Sequence, residues 1–283
     1  MQTYKYSTVL TIAGSDSSGC AGIQADLKTF AALGCFGTSA ITAVTAQNTL
    51  GVTAIHPIPS ALVQSQMIAV IEDMRPSAIK IGMIPDLEQV EVIAAVLKLY
   101  KGIPIILDPV LRSSSGENLI TGPAVEAMKK YLFPLVSLIT PNIDEAFVFS
   151  GSVIKSLKGL RAVADQIARS NGVAVLLKGG HLTGAERYNV YADSTGQEQV
   201  YTYPYIASRN TRGTGCTLSS AIAAYLARGN SLTDAISLAG EYVNIAIKEG
   251  CNVRTGKGNG PLNHFFKPRK LARIESLKDQ SYY

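Results

Sequence analysis

Hydrophobic and polar positions change rhythm along this chain in a regular way. Short apolar or β-branched runs at residues 8–13, 38–47, 78–84, 103–110, 137–140 and 173–177 read as strands. The run at 103–110 is apolar on consecutive positions, as expected of a central strand buried on both faces of a parallel sheet. Helical patterns from near Ala21, from Pro59-Ser60 to Met74 and from about Leu87 to Tyr100 supply crossovers between strands. A further strand is expected at 52–58, and alternation at 188–193 and 199–206 predicts an antiparallel hairpin at a sheet edge. Two helices close the pattern, one running to about Arg228 and one from about Ser231 to Glu249, the second opened by a Ser-x-x-Asp cap signal. Strands alternating with helices throughout predict an α/β fold, a doubly wound and mostly parallel central sheet with helices on both faces.

Composition fits that picture. The 283 residues are 47% hydrophobic and 17% charged, enough for one large core, and no linker divides them. One domain over 1–266 is expected, with a loosely held tail at 267–283. Basic residues exceed acidic ones by five, but only Lys267, Arg269, Lys270 and Arg273 cluster, which reads as a solvated tail rather than a nucleic-acid patch. Four scattered cysteines without a C-x-x-C pair imply reduced thiols and a cytoplasmic location, and three distant histidines lack zinc-ligand spacing. No apolar run approaches the ~20 residues that span a bilayer.

The candidate chemistry lies where strands end. Open parallel sheets keep their sites at the carboxyl ends of the strands, and there the chain places Gly14 to Gly19, Gln47, Met83, Asp108-Pro109-Val110, Asn142 with Glu145, and Lys178 followed by Gly179-Gly180-His181. Asp26 falls one to two turns into the first helix, where a solvated helix charge is the plainer reading. Asp108 and Glu145 form a pair of strand-end acids suited to Mg²⁺, which is held by few carboxylates, several waters and substrate phosphates. Gly213-Thr214-Gly215-Cys216 opens an apolar helix with almost no side chains, so its unpaired amides and dipole invite a phosphate. In that turn Cys216 is expected to lean towards thiolate and to serve as a base. Each of these signals alone also fits a turn, a cap or a surface charge.

Taken in order, residues 13–26, 43–49, 80–83, 108–110, 140–145, 178–181 and 213–216 closely resemble the hydroxymethylpyrimidine and phosphomethylpyrimidine kinases of thiamine biosynthesis, in the ribokinase-like superfamily. The likeness runs over roughly residues 8–265. It implies a kinase using ATP and Mg²⁺ twice, on the hydroxymethyl group of 4-amino-5-hydroxymethyl-2-methylpyrimidine and then on the monophosphate. Carried over, Gly14, Asp26, Gln47, Met83, Val110 and Cys216 would form the pyrimidine pocket, with Asp26 and Gln47 as its hydrogen-bonding edge. Asp108 and Glu145 would bear on magnesium, Asn142 and Lys178 on phosphate, and Thr211 on the nucleotide. Gly213, Thr214, Gly215 and Cys216 would make the anion hole, with Cys216 as base. Family habit also implies a homodimer, with an interface or lid near residues 36–58, and no nucleic-acid or membrane partner.

The chain departs from the family pattern at Arg212, where His is common, at Ile84-Pro85, and at Leu111-Arg112-Ser113. Arg112 and Arg212 could reach a substrate phosphate, although plain surface charges are the favoured reading. A pyridoxal or pyridoxine kinase on the same fold is the alternative activity. A non-enzymatic pyrimidine binder is disfavoured by the retained Asp108, Glu145, Lys178 and Cys216, and a sugar kinase by the shortage of strand-end polar groups.

Overall fold

Apolar runs that cannot face water on either side become the middle of a nine-stranded sheet. The computed structural model describes residues 4–111, 120–180 and 182–275. In chain order its elements are β1 (Tyr4–Tyr6), β2 (Thr8–Asp16), α1 (Gly22–Ala32), β3 (Phe36–Gln47), β4 (Val52–Pro57), α2 (Ser60–Met74), β5 (Ala78–Ile81), α3 (Leu87–Leu99), β6 (Ile105–Leu107), α4 (Gly122–Ala127), β7 (Leu138–Ile139), α5 (Ile143–Ser150), α6 (Leu157–Asn171), β8 (Val175–Lys178), β9 (Glu186–Ala192), β10 (Glu198–Pro204), α7 (Thr214–Ala227), α8 (Leu232–Gly250) and β11 (Arg273–Glu275). The large sheet runs β10-β9-β8-β7-β6-β5-β2-β3-β4. Strands β8, β7, β6, β5, β2 and β3 are parallel, and antiparallel strands close both edges: β4 on β3, and the β9–β10 hairpin on β8. The expected α/β architecture and edge hairpin are therefore present.

Every residue of β5 and β6 is buried, as strands sandwiched between two helix layers must be. One layer, packed through Val63, Ile93, Val125, Ala146 and Ile167, comprises α2 to α6. The other, packed through Phe30, Ile222 and Ala239, comprises α1, α7 and α8. Helix α6 buries Leu160, Val163, Ala164 and Ile167 along one face, the spacing of an amphipathic surface helix. Helix α7 is buried almost all round because it lies between the sheet and α8. The sequence pattern had left α4 and α6 unassigned. Among the described residues no helix is long and apolar enough to cross a membrane.

The tail differs from expectation. Arg269 and Ala272 donate backbone hydrogen bonds to Ala32 and Gly34, and β11 pairs antiparallel with β1, so the segment to Glu275 is tied to the domain. Gly34 permits the approach: a Cβ there would lie 2.4 Å from the Lys270 carbonyl oxygen. Backbone pairing of this kind leaves no mark in composition.

Near the first turn of α7, His264 is buried with its Nε2 3.0 Å from Thr217 Oγ1. Burial, aided by the charge of Lys28, lowers its pKa to about 4. An unfolded His takes its proton near pH 6.5, so the unfolded state gains protons first as pH falls. The stability that neutral His264 confers is complete above about pH 6.5 and is lost on descending towards pH 4, a change of about 3 kcal/mol. Urea unfolding from pH 7 to 4.5 should show this slope in the wild type, and a His264→Gln variant should lack it.

Candidate active site

Five parallel strands deliver their carboxyl ends to one cavity of about 1230 Å³, ample for a nucleotide and a second small molecule together. β2 brings Gly14, Ser15 and Asp16, β5 leads to Met83, and β6 leads to Asp108 and Val110. β7 leads to Asn142 and Glu145, and β8 ends in Lys178. The first turn of α7 closes over them with Gly213, Thr214, Gly215 and Cys216. A Cβ on Gly215 would stand 3.2 Å from Lys178 Nζ and 3.4 Å from Asp108 Oδ2, so the bare helix end lies directly on the strand-end ion pair.

Local chemistry fixes each part. Gly213 adopts a left-handed conformation (φ 85°), and a Cβ there would sit 1.9 Å from the Cys20 carbonyl oxygen, so only glycine lets α7 start against the β2–α1 loop. That loop is wound around Asp16, whose carboxylate accepts from the amides of Ser18, Cys20 and Ala21 and from the Ser18 hydroxyl. Asn142 and Glu145 form a reciprocal capping box at the start of α5, which turns both side chains to the sheet edge. Asp86, whose side chain accepts from the Gln89 amide, caps α3 beyond Met83.

Electrostatically the centre is a chain of opposed charges. Lys178 Nζ lies 2.8 Å from Asp108 Oδ1, which also accepts from Thr140 Oγ1 at 3.0 Å. Burial pushes the Asp108 carboxyl up, but the charges of Lys178 and Lys80 outweigh it and hold it below the ordinary carboxylate range. Lys178 is in turn lifted, because Asp108 and Glu145 more than offset its burial. Glu145 is pushed up to about 7 by burial, with Lys178 opposing and Asp108 adding to the rise. Beneath them Lys80 and Asp26, both fully buried, are joined at 2.8 and 3.0 Å. Phe147, Val148, Val153 and Ile247 add apolar lining to the cavity, and Arg187 stacks on Tyr205 at 4.1 Å.

A sequence profile described as phosphomethylpyrimidine kinase matches residues 16–263. The chain belongs to that family. It is 44% identical to the hydroxymethylpyrimidine/phosphomethylpyrimidine kinase of Rhizobium meliloti, over 91% of this chain and 97% of the relative. It is 45% identical to the thiamine biosynthesis bifunctional protein ThiED of Geobacter sulfurreducens, where 91% of this chain spans about half (52%) of the longer protein. The crystal structure of phosphomethylpyrimidine kinase from Clostridium difficile is 43% identical with a TM-score of 0.73, covering 86% of this chain and 98% of that one. The ADP complex of Bacillus subtilis pyridoxal kinase is 32% identical with a TM-score of 0.84, covering 92% and 98%. As a phosphomethylpyrimidine kinase family member with these relatives, the chain is an ATP-dependent phosphotransferase of the ribokinase-like fold.

Within this family member the cavity brings together Gly14, Gln47, Met83, Asp108, Val110, Asn142, Glu145, Lys178, Thr211, Gly213, Thr214, Gly215 and Cys216. Asp26 stands apart. Its carboxylate is consumed by Lys80, by Thr11 Oγ1 at 2.6 Å and by Ser220 Oγ at 2.7 Å, and it does not line the cavity, so the hydrogen-bonding ring edge expected of it is corrected to a buried brace. Because Ser220 lies one turn beyond Cys216, that brace holds α7 in place.

Cys216 also departs from expectation. Burial, reinforced by Asp26 and Asp108, raises its thiol to about 11, although Lys80 and the Gly22 amide pull the other way. Desolvation therefore wins, and the resting group is a thiol. Arg212, read as a surface charge, is buried. Ile84 belongs to the core. Arg112 and His181 lie outside the described residues. The sequence reading passed over Lys80, Asp16 and the apolar lining; a lysine inside the otherwise apolar run 78–81 was the available signal for the first.

Proposed function

We propose that this chain phosphorylates 4-amino-5-hydroxymethyl-2-methylpyrimidine with ATP and Mg²⁺, and then phosphorylates the monophosphate to the diphosphate. The observation carrying this reading is the meeting of Lys178, Asp108 and the glycine-rich first turn of α7 at one point of the cavity. The same cavity is lined by Gly14, Gln47 and Met83 and by the apolar residues Phe147, Val148, Val153 and Ile247. Met83 Sδ would be 3.2 Å from a Cβ on Gly14, so glycine keeps that part of the cavity open to a flat ring. Gln47 presents an amide to the ring's polar edge, and the apolar lining with Tyr205 takes the adenine.

Mg²⁺ fits the donors present. Among the described residues no group of three or more His, Cys, Asp or Glu side chains is arranged as a metal cage. Asp108 and Glu145 offer two carboxylates, the number expected for an ion that arrives with nucleotide phosphates and keeps several waters. When bound, Mg²⁺ would neutralise phosphate charge next to these acids. In the first reaction the hydroxymethyl oxygen attacks the terminal phosphorus of ATP, the bond to the bridging oxygen breaks, ADP leaves, and the hydroxyl proton passes to Cys216 as thiolate. Lys178, with Asn142, orients the phosphates, and the amides of Gly215 and Cys216 receive the charge of the moving phosphoryl group.

A base that rests as a thiol leaves a clear trace. Since kcat/KM follows the ionisation of the free enzyme, alcohol phosphorylation should climb with pH through the neutral and mildly alkaline range towards the ionisation of Cys216 at about 11. Cys216→Ala should flatten that climb and lower the rate ~10²-fold. A pH-independent rate, or a loss under about tenfold, would remove the base role. The fold likeness to pyridoxal kinase keeps pyridoxal as the second reading, and a higher kcat/KM for pyridoxal than for the pyrimidine alcohol would install it. The chain works in the cytoplasm as a homodimer on this reading; the exposed Val44 and Leu50 in the 36–58 segment support an interface there.

A further inference from the structure

Arg212 is only 4% exposed and forms part of the cavity wall. Its backbone is fixed, with the amide donating to the Gly260 carbonyl and the residue bridging Pro261. Its Nε has no hydrogen-bond partner, and no ion pair to its guanidinium occurs among the described residues. A guanidinium cannot shed its proton, so a buried one needs an anion or it costs stability. Of the acids lining or underlying this cavity, Asp16 is committed to the amides of its loop, Asp26 to Lys80, Asp108 to Lys178 and Glu145 to the Asn142 amide, and Asp144 forms no ion pair with Arg212. The counter-charge must come from outside, one residue upstream of a helix end built to receive phosphate.

We infer that Arg212 is the receptor for a phosphate monoester carried by the acceptor molecule, which makes it a specificity residue for the second phosphorylation. The two reactions ask different things of the site. An alcohol must lose a proton, whereas a monoester is largely dianionic at neutral pH, its second pKa being near 6. In the second step a monoester oxygen attacks the terminal phosphorus of ATP, the bond to the bridging oxygen breaks, a P–O–P link forms and ADP leaves. No proton need move from the dianion. What must be overcome is repulsion between two phosphates, and for that the chain supplies a second cation. Lys178 is already balanced by Asp108, while Arg212 is not. Its planar fork suits two phosphate oxygens at once.

This inference takes its acceptor from the function proposed above, and the test separates the two. Steady-state constants for the alcohol, the monophosphate and ATP would be measured with wild type, Arg212→Met and Arg212→Lys, alongside thermal unfolding with and without inorganic phosphate. Arg212→Met should raise KM for the monophosphate ~10- to 100-fold, and by at least tenfold more than KM for the alcohol or ATP. Arg212→Lys should recover part of the loss. Phosphate should raise the wild-type Tm and leave that of Arg212→Met unmoved, and without phosphate Arg212→Met should be at least as stable as wild type. An equal rise for both acceptors, or a dominant rise for ATP, overturns the inference, the latter assigning Arg212 to the nucleotide. So does an undiminished phosphate effect in Arg212→Met. Wild-type enzyme that turns over neither pyrimidine sinks the proposed function instead, and the phosphate arm then decides on Arg212 alone.

Discussion

Replacing Lys80 with Met is expected to destabilise the protein by about 3–5 kcal/mol, because it strands a buried carboxylate. Lys80 and Asp26 are both fully buried, and Asp26 gathers Thr11 from β2, Lys80 from β5 and Ser220 from α7 around one charge. Burial alone would lower the lysine's pKa, yet the adjoining Asp26 carboxylate holds it above its ordinary value, so the lysine stays charged. Taking the ammonium away leaves two hydroxyls to stabilise the acid in a dry interior. Urea unfolding of Lys80→Met, Asp26→Asn and the Lys80→Met/Asp26→Leu double variant checks this. The double variant should regain much of the loss, since an apolar pair of similar volume is often no worse than a buried salt bridge. If the single Lys80→Met variant unfolds within about 1 kcal/mol of wild type, the brace is not where the stability lies.

Lys178→Met should lower turnover ~10³-fold with either pyrimidine acceptor, at the upper end of what removal of one preorganised donor costs. The ammonium lies 2.8 Å from Asp108 and 3.2 Å from where a Gly215 Cβ would be, so it stands under the helix end proposed to receive the moving phosphoryl group. Removing it also takes away the principal attraction that keeps the buried Asp108 carboxyl depressed, which drives that acid towards protonation and weakens it as a metal partner. The measurement is kcat by single-turnover and steady-state assay, with circular dichroism to show that the fold survives. A drop in kcat of less than tenfold with a raised KM for ATP would make Lys178 a nucleotide-binding residue and nothing more.

Much of this molecule is visible in one dimension, and the reasons differ by residue. Strand β6 announces itself because a strand covered on both faces has no polar side to show, and β5 does so but for Lys80. Gly213 and Gly215 announce themselves because glycines at a helix start leave its backbone open to close approach, although a plain Gly-rich turn reads the same in one dimension. The protonation of Cys216 is different in kind. It depends on how much water the fold removes and on Asp26 and Asp108, groups distant in the chain. Asp26 itself looks like any solvated helix acid until Lys80, 54 positions later, is laid against it. Arg212 is a surface residue by every local rule, and its burial follows from the way Gly260 and Pro261 return to pair with it. Phe147, Val148 and Val153 are exposed apolar residues along the cavity, and sequence alone does not separate apolar side chains that line a groove from those on open surface.

The ribbon of β1 and β11 sets Tyr4 opposite Glu275, so the two described extremities of the polypeptide are neighbours in space. Joining them by a short peptide and opening the backbone elsewhere would preserve the order of the large sheet, because that ribbon is separate from it. Rearranged genes of this kind, or split halves meant to reassemble, have a natural suture there.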